Sequence, residues 1–297
     1  MLNILITGSK GQLGSEIQAS SALYPFYNFV FTDIAELNLT SAFKVDQFFL
    51  KNNFDVVINC AAYTAVEKAE EEPEIAMLIN YEAVANLVRA CNKHDIFLVH
   101  ISTDYVFNGK SPKPYREDDR PNPMTSYGKS KLAGEEAMMS CMEKGMIIRT
   151  SWLYSSFGNN FVKTILKTGA ERGELEVVND QFGCPTYARD IAVTILDILP
   201  QALSTNRFEI YNFADEGECS WYDLAKAALE LAEISCRVNP LTTDKYPQKA
   251  LRPLYSVLDN TKIKKEFGIT IPEWRDSLKD CVEAWRRGSG EARNNNF

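Results

Sequence analysis

The sequence predicts an α/β fold built on a doubly wound parallel sheet, with a smaller α/β lobe in its second half. Through the first half, short β-rich runs alternate with helical patterns. The runs 56–58 and 97–99 are apolar at every position, which is typical of parallel strands covered on both faces. Right-handed crossovers between such strands place helices on both sides of the sheet.

The elements of the first half follow this apolar pattern. Strands are predicted at 3–7, 29–32, 55–59, 96–102 and 146–150. Helices are predicted between them at 12–22, 41–52, 73–93 and 126–144. Pro73 follows three glutamates and suits a first helical turn, because proline needs no N–H partner there and acidic side chains favour the positive end of the helix dipole.

The second half is less regular. Helices are predicted at 158–172, 188–203, 220–234, 259–267 and 274–287, and strands at 175–178 and 209–213. Segments rich in proline and glycine predict loops at 108–125, 180–187 and 239–254, and we expect an irregular tail at 288–297.

Composition excludes several classes of protein. The hydrophobic share of 45% and charged share of 24% are those of an ordinary soluble protein. A net charge of −8 argues against binding to nucleic acid or to anionic membranes. No apolar run approaches the roughly 18 residues of a membrane span. The chain starts directly with a predicted core strand, so we expect no secretory signal.

The cysteine and histidine pattern argues against a zinc site. The seven cysteines are scattered without a Cys-x-x-Cys pair, and His94 and His100 are the only histidines in the sequence. We expect most of these cysteines to be small core residues of a cytoplasmic protein, since the cytosol keeps thiols reduced.

A glycine-rich loop follows the first predicted strand. Gly8, Gly11 and Gly14, with Gln12 and Leu13 among them, join that strand to a helix. Backbone N–H groups and the helix N-terminus can hold a pyrophosphate there, where side chains would block its approach. The alternative is a tight turn without a ligand.

The residue after the second strand bears on the choice of dinucleotide. Asp33 stands where an acid accepts a hydrogen bond from the adenosine ribose, which favours NAD over NADP. Lys10, in the glycine loop, favours NADP, because a cation there can meet a 2′-phosphate. The bland alternative for Asp33 is a turn-capping carboxylate.

The spacing of a tyrosine and a lysine indicates proton transfer. Tyr127 and Lys131 lie four residues apart in a predicted helix and therefore share one face. A cation beside a phenol lowers the pKa of that phenol, so we expect Tyr127 to exchange protons near neutrality. Thr103 ends the fourth strand at the same edge of the sheet, where its hydroxyl can assist Tyr127. Alone, Ser102-Thr103 would indicate a helix cap or a turn.

Other residues are candidates for ligand binding at strand ends and in loops. Small residues at 61–64 follow the third strand and would let a nucleotide lie over its end, although close helix packing explains the alanines equally well. Trp152 follows the fifth strand, where an aromatic ring can stack on a sugar or pack in the core. Asn160 can hydrogen-bond a polyhydroxylated substrate, and Arg252 can neutralise a diphosphate.

Together these residues resemble the extended short-chain dehydrogenase/reductase superfamily and, within it, the dTDP-4-dehydrorhamnose reductases. The matching stretches are 7–14, 61–69, 102–107, 127–134, 149–154, 159–161, 179–186 and 252–259. The resemblance implies a Rossmann-like fold and NADPH- or NADH-dependent reduction of the 4-keto group of dTDP-4-dehydro-β-L-rhamnose. It implies that Tyr127 supplies the proton, Lys131 lowers the pKa of Tyr127 and binds the nicotinamide ribose, and Thr103 tunes the site.

The resemblance also implies roles for particular positions. The implied dinucleotide contacts are Gly8, Gly11, Gln12, Leu13, Gly14, Asp33, Asn38, Leu39, Ala61, Ala62, Tyr63, Thr64, Tyr127 and Lys131. The implied substrate contacts are Val66, Thr103, Asp104, Tyr105, Trp152, Asn160 and Arg252. Residues 1–167 would form the dinucleotide-binding domain and 168–297 mainly the substrate lobe, with about 188–215 returning to the first domain.

Several alternatives remain open at this point. A dehydratase of the superfamily would carry Asp-Glu after its threonine, whereas Asp104-Tyr105 follows Thr103 here. A non-catalytic regulator resembling the regulatory subunit of methionine adenosyltransferase, or a reductase of another nucleotide keto-sugar, would share the fold. Some family members dimerise through magnesium; Glu16 and Asp190 are candidates, but the positive charge of Arg189 argues against a metal. We expect a monomer or a homodimer.

Overall fold

The computed structural model describes residues 1–294, and its strands and helices alternate along the chain as the sequence predicts. The strands are β1 (Leu2–Thr7), β2 (Tyr27–Thr32), β3 (Val56–Asn59), β4 (Phe97–Thr103), β5 (Gly145–Thr150), β6 (Leu153–Tyr154), β7 (Glu174–Val178), β8 (Phe182–Gly183), β9 (Thr186–Tyr187), β10 (Phe208–Asn212), β11 (Cys219–Ser220) and β12 (Arg237–Leu241). The helices are α1 (Gln12–Ser20), α2 (Ala42–Lys51), α3 (Val66–Ala69), α4 (Pro73–Met77), α5 (Ala83–His94), α6 (Ser126–Cys141), α7 (Phe161–Arg172), α8 (Ala188–Thr205), α9 (Trp221–Leu231), α10 (Thr261–Phe267) and α11 (Trp274–Asn294).

Six parallel strands form the central sheet, in the order β10-β5-β4-β3-β1-β2. From β1 the chain adds β2 on one side of the sheet and then β3 on the other, so the strand order switches between β1 and β3. Open α/β sheets bind ligands in the crevice at such a switch point. The prediction of an α/β fold with a doubly wound parallel sheet is confirmed. The edge strand β10 comes from the second half of the chain and pairs with β5.

Alternation along the strands produces two core layers, one on each face of the sheet. Ile4 and Ile6 of β1 pack with α1 and α8, whereas Leu5 of the same strand packs with α2 and α5. Successive side chains of a strand point to opposite faces, so one apolar strand supplies both layers.

A smaller lobe is built mainly from α7, α9, α11 and the parallel pair β7–β12. Its core contains Leu166, Leu224, Ala228 and Leu278, all buried. The predicted loop at 239–254 is wrong at its start, because β12 continues there to Leu241. The sequence did not predict this strand because Pro240 argues against one. At the edge of a two-stranded sheet, the missing N–H of proline is tolerated.

Two predicted helices differ in detail from those of the structure. The helix predicted at 73–93 is interrupted by a π-helical turn, Leu78–Glu82, between α4 and α5. This turn lies against α6: a Cβ at Gly134 would lie 2.3 Å from the carbonyl oxygen of Asn80. At the other end of the chain, α11 continues through Asn294 where we predicted an irregular tail, and 295–297 lie outside the described residues.

Within residues 1–294, no helix combines the length and the apolar character needed to cross a bilayer.

Candidate active site

A cleft of about 530 Å³ lies at the carboxyl edge of the central sheet. Residues that follow β1, β3, β4 and β5 line it, because parallel strands end at the same edge. The predicted site residues in its lining are Gly11, Gln12, Leu13, Ala62, Thr64, Val66, Thr103, Asp104, Tyr105, Tyr127, Lys131, Trp152, Asn160 and Arg252. One cleft thus unites residues from both halves of the chain.

The glycine loop is shaped by close backbone approaches. Gly8 has a φ of +64°, and a Cβ there would lie 2.6 Å from the backbone nitrogen of Ala61. A Cβ at Gly14 would lie 2.5 Å from the carbonyl oxygen of Gly8. These two glycines lie behind the lining and let β1, the loop and α1 pack together, whereas Gly11 faces the cleft.

The start of α1 fits an anionic ligand. Gly11 is its N-cap residue, and among the described residues no side chain accepts from its first N–H groups. Unpaired N–H groups at a helix N-terminus bind phosphate, and the helix dipole adds to that attraction. Residues 11–13 therefore form a cradle that the pyrophosphate of a dinucleotide fits.

The predicted adenosine side of the site is arranged around turn hydrogen bonds. Asp33 accepts from the backbone N–H of Lys10 at 3.0 Å and from that of Ile34 at 2.8 Å. The ammonium of Lys10 lies 3.9 Å from Glu36 and is largely exposed. The carboxylate of Asp33 therefore ties β2 to the glycine loop, which is the capping role that the sequence left open.

Asn38 and Leu39, two of the implied dinucleotide contacts, have other contacts here. The side-chain oxygen of Asn38 accepts from the backbone N–H and the hydroxyl of Thr40, at 3.0 and 2.8 Å. Leu39 is buried in the core layer of α2 and α5. A dinucleotide would have to contact the backbone atoms of these two residues, because the side chain of Asn38 binds within the turn and that of Leu39 is buried in the core.

The segment after β3 is fixed by amide hydrogen bonds. The N–H of Ala61 donates to the side chain of Asn59 at 3.2 Å, and the N–H of Tyr63 donates to that of Asn80 at 2.8 Å. The phenol of Tyr63 donates to Glu72 at 3.1 Å, and Tyr63 does not line the cleft. Ala62 and Thr64 line the cleft instead.

Tyr127 is held at the start of α6, under the cleft. Thr125 caps this helix by accepting from the N–H of Gly128 at 3.0 Å. The Tyr127 ring packs edge-on against Tyr105, with centroids 5.5 Å apart. Burial raises the pKa of Tyr127 to about 12, while a hydrogen bond with Thr103 lowers it and the charge of Asp104 raises it. The pKa shift that we predicted was downward, so the direction is corrected: desolvation outweighs any cation here.

Lys131 is buried beside Tyr127 but its amine is bound elsewhere. The Nζ atom donates to the carbonyl oxygen of Ile101 at 2.6 Å and lies 3.3 Å from Nε2 of His100. Burial lowers the pKa of Lys131 to about 8. The spacing in the sequence correctly predicted that Lys131 shares a face of α6 with Tyr127, but it could not predict how deeply the amine of Lys131 is buried.

Thr103 and Asp104 complete the reactive end of the cleft. The hydroxyl of Thr103 donates to the carboxylate of Asp104 at 3.0 Å and accepts from the N–H of Tyr105 at 3.2 Å. Burial raises the pKa of Asp104 to about 6. Thr103, Tyr127 and Lys131 therefore bring a hydroxyl, a phenol and an amine to one cleft, the types of group that proton transfer uses.

Trp152 is enclosed by two neighbours. Its backbone is in the left-handed region, with φ 47°, and its ring stacks on Trp221 with centroids 3.6 Å apart. A Cβ at Gly183 would lie 2.6 Å from Cε2 of Trp152 and 2.8 Å from Cζ2 and Nε1. Cε2 lies between Cζ2 and Nε1 in the ring, and an approach in the ring plane would bring those two atoms nearest. Because Cε2 is nearest instead, Gly183 lies over the ring face that Trp221 leaves open. Of the two alternatives that the sequence left open, the packing of the Trp152 ring against protein neighbours is the one seen here, and Trp152 also lines the cleft.

Arg252 and Asn160 connect the substrate side to other elements. Arg252 donates to Glu67 of α3 at 3.1 Å, so its charge is already paired. Asn160 caps α7 by accepting from Lys163 N–H at 3.0 Å and donates to Gln12 of the glycine loop at 2.9 Å. Asn160 thereby joins the two halves of the chain.

Sequence reasoning missed three residues of this site. His100 was weighed only as a zinc ligand, although a histidine inside an apolar strand signals a buried polar contact. Glu67 binds Arg252, and Trp221 lines the cleft with Trp152. These two carried no local signal, because their partners lie far away in the sequence.

The magnesium candidates Glu16 and Asp190 lie in largely buried surroundings. Glu16 is buried and accepts from Ser155 at 2.6 Å, and burial raises the pKa of Glu16 and of Asp190. Over 1–294, no group of three or more His, Cys, Asp or Glu side chains is arranged to hold a metal ion.

Comparison with known proteins identifies the family. Residues 2–287 match the family model described as the RmlD substrate binding domain. A dTDP-4-dehydrorhamnose reductase of Aggregatibacter actinomycetemcomitans is 39% identical, over 94% of this chain and 98% of that protein.

Solved structures agree. A crystal structure of a dTDP-4-dehydrorhamnose reductase from Clostridium acetobutylicum superposes with a TM-score of 0.91 at 40% identity, covering 96% of this chain and 100% of that one. The enzyme of Bacillus anthracis in complex with NADP gives a TM-score of 0.90 at 36% identity, covering 95% and 99%. The resemblance inferred from the motifs is confirmed, and the chain belongs to the dTDP-4-dehydrorhamnose reductase family.

Proposed function

We propose that this protein reduces the 4-keto group of dTDP-4-dehydro-β-L-rhamnose to give dTDP-β-L-rhamnose, using NADPH or NADH. The observation that carries the proposal is the meeting of Thr103, Tyr127 and Lys131 in one cleft, beside an uncapped helix N-terminus. Family membership supports the same activity. The reaction would serve nucleotide-sugar supply for surface polysaccharide.

The glycine loop and α1 would hold the dinucleotide pyrophosphate, and residues 61–64 would border the nucleotide. When bound, the reduced nicotinamide supplies the hydride for C4. Lys10 is largely exposed, with Glu36 3.9 Å from its ammonium, and would turn toward a 2′-phosphate; Asp33 borders the same turn. Both cofactors are therefore proposed, and the NADP complex of the Bacillus anthracis relative supports NADPH.

Tyr127 would donate its proton to the carbonyl oxygen of the sugar. With a pKa of about 12 the phenol keeps that proton at neutral pH, and an alkoxide that forms at C4 is basic enough to take it. Thr103 would orient the phenol and the carbonyl oxygen. Lys131 would bind a ribose hydroxyl of the cofactor and, when protonated, stabilise the phenolate that Tyr127 becomes.

The remaining lining would select the nucleotide sugar. Val66, Asp104, Tyr105, Trp152 and Trp221 line the same cleft and would border the sugar nucleotide. Asn160 would meet sugar hydroxyls. The Arg252–Glu67 pair lies at the rim, where the guanidinium would share its charge between Glu67 and a diphosphate.

The division of the chain into lobes belongs to the same proposal. Residues 1–167 would bind the dinucleotide, 168–297 would mainly bind the sugar nucleotide, and 188–215 would return to the first domain. Contacts of Tyr24 and Tyr27 with α8, at 2.8 to 3.4 Å, support that return. We place the protein in the cytoplasm, as a monomer or a homodimer.

A coupled assay tests the activity. The purified protein is mixed with NADPH and with dTDP-4-dehydrorhamnose made in situ by the upstream dehydratase and epimerase. We expect oxidation of NADPH that depends on the epimerase, and the same assay with NADH gives the preference. Binding of the dinucleotide without turnover of this or another 4-keto sugar nucleotide would instead indicate a regulator.

A further inference from the structure

A chain of buried polar side chains runs through the sheet to Lys131. The hydroxyl of Thr7 on β1 donates to Oδ1 of Asn59 on β3 at 2.7 Å. Nδ2 of Asn59 lies 3.0 Å from Nδ1 of His100 on β4, and Nε2 of His100 lies 3.3 Å from Nζ of Lys131. All four residues are almost fully buried, so each polar atom depends on its protein partners.

The orientation of the Asn59 amide is fixed by a backbone group. Its Oδ1 accepts from the N–H of Ala61 at 3.2 Å, and a backbone N–H can only donate. The amide nitrogen of Asn59 therefore faces Nδ1 of His100 and donates to it. Because Nδ1 accepts, the neutral ring of His100 carries its proton on Nε2. Burial lowers the pKa of His100 well below its usual value, which agrees with a neutral ring.

The N–H at Nε2 points toward the amine of Lys131. An ammonium has three donors and no acceptor, so a charged Lys131 would place a donor against a donor. A neutral amine has a lone pair that accepts from His100 while one of its N–H groups still donates to Ile101. The pair of hydrogen bonds is satisfied only by the neutral amine.

The other ionisable groups around Lys131 leave this preference in place. Glu135 favours a charged Lys131, but its carboxylate is paired with Arg149 at 2.7 Å. Burial raises the pKa of the Cys60 thiol to about 12, so the thiol is neutral at physiological pH. The phenol of Tyr127 is neutral as well.

We propose that His100 favours the neutral amine of Lys131 in the free protein, and that at mildly alkaline pH Lys131 takes up a proton from solvent when the dinucleotide binds. The proton adds to the lone pair of Nζ, which breaks the hydrogen bond from Nε2 of His100. Ribose hydroxyls and the anionic pyrophosphate then supply the acceptors and the negative charge that favour the ammonium. His100 is a positioning residue, and the inference rests on the proposed binding of the dinucleotide in this cleft.

Calorimetric titration of the full-length protein with NADPH tests this proposal. The titration is run at about pH 8.5, which lies between the pKa of Lys131 in the free protein, about 8, and the ordinary lysine pKa of about 10.4. Titrations in two buffers of different ionisation enthalpy give the number of protons taken up. We expect uptake of a large fraction of one proton by the wild type. Lys131→Met should abolish that uptake. His100→Glu, which offers acceptors to both Asn59 and Lys131, should also abolish it, because Lys131 is then charged before binding.

The outcomes separate the inference from the proposed function. Binding of NADPH by the wild type without proton uptake overturns the inference alone, whatever the variants do. Uptake that persists in Lys131→Met, or that is unchanged in a folded His100→Glu protein, overturns it as well. If neither NADPH nor NADH binds, the cofactor of the proposed function and the inference both fail.

Discussion

At the scale of single residues, the site depends on a phenol that burial keeps protonated. Tyr127→Phe removes the proposed proton donor and leaves the packing against Tyr105 in place. We expect turnover to fall by about 10²–10⁴-fold, the usual cost of losing a general acid, with the Kd for NADPH nearly unchanged. Steady-state rates and a binding titration measure the two effects. A Phe variant with wild-type turnover would show that another group delivers the proton.

Asp104 makes a residue-scale prediction about pH. Its pKa of about 6 in the folded protein lies above the unfolded value of about 3.9, so the folded state binds more protons between these values. The free energy of unfolding therefore falls as pH rises through this window, and above it the ionised Asp104 is a destabilising group. Asp104→Asn removes this term and should be relatively more stable at pH 7 than at pH 4, by about 2–3 kcal/mol.

Denaturant unfolding of both proteins at several pH values measures that difference. Asp118→Asn, at an exposed carboxyl, is the matched control and should show no comparable trend. A constant stability difference between Asp104→Asn and the wild type from pH 4 to pH 7 would contradict the raised pKa.

At the scale of elements, two glycines at the start of α1 have different expected roles: Gly14 allows close packing, and Gly11 leaves room for the ligand. A Cβ at Gly14 meets the backbone of Gly8 and Ser9 at 2.5 and 2.6 Å, whereas one at Gly11 has a single neighbour at 3.2 Å. Gly14→Ala should cost about 1–3 kcal/mol of stability. Gly11→Ala should fold normally, since its φ of −74° suits alanine, yet bind NADPH at least about tenfold more weakly.

Thermal unfolding and binding titrations of both variants measure this contrast. A Gly11→Ala protein with unchanged affinity would place the pyrophosphate away from the start of α1.

A second element-scale prediction concerns the segment before Arg252. Glu67 of α3 accepts from the N–H groups of Lys249 and Ala250, at 2.8 and 3.2 Å, and from the guanidinium of Arg252. Glu67→Gln keeps one acceptor but loses the charge that fixes this segment, so we expect a higher KM for the sugar nucleotide. The KM for NADPH and kcat should change little. Glu71→Gln, which loses only the ion pair with Lys249, is the matched control.

The sequence predicted features that are encoded locally and missed those that burial or distant contacts decide. The apolar runs of β3 and β4 and the spacing of Tyr127 and Lys131 are local patterns, and the structure contains them. The proposed protonation preference of Lys131 on α6 depends on His100, which lies on strand β4. The enclosure of Trp152 depends on Trp221 and Gly183, whose positions follow from the path of the whole chain.

At the scale of the whole molecule, one buried ion pair joins the layers behind the site. Arg149 on β5 donates to both carboxylate oxygens of Glu135 on α6, at 2.7 to 3.2 Å, and to the carbonyl oxygen of Glu117 in the loop before α6. Both charged side chains are almost completely buried. Because α6 carries Tyr127 and Lys131, this pair connects the helix of the proposed proton donor to the sheet.

Removing one partner leaves an uncompensated charge in the interior. Glu135→Leu should therefore cost about 3–5 kcal/mol of unfolding free energy, measured by denaturant titration. The double variant Glu135→Leu/Arg149→Met removes both charges and keeps similar volumes, so it should recover most of that loss. If the double variant is as unstable as the sum of the two single variants, the two charges are not coupled, which would contradict this prediction. A recovery shows that they are coupled, and the coupled assay then shows whether apolar packing alone keeps Tyr127 in place.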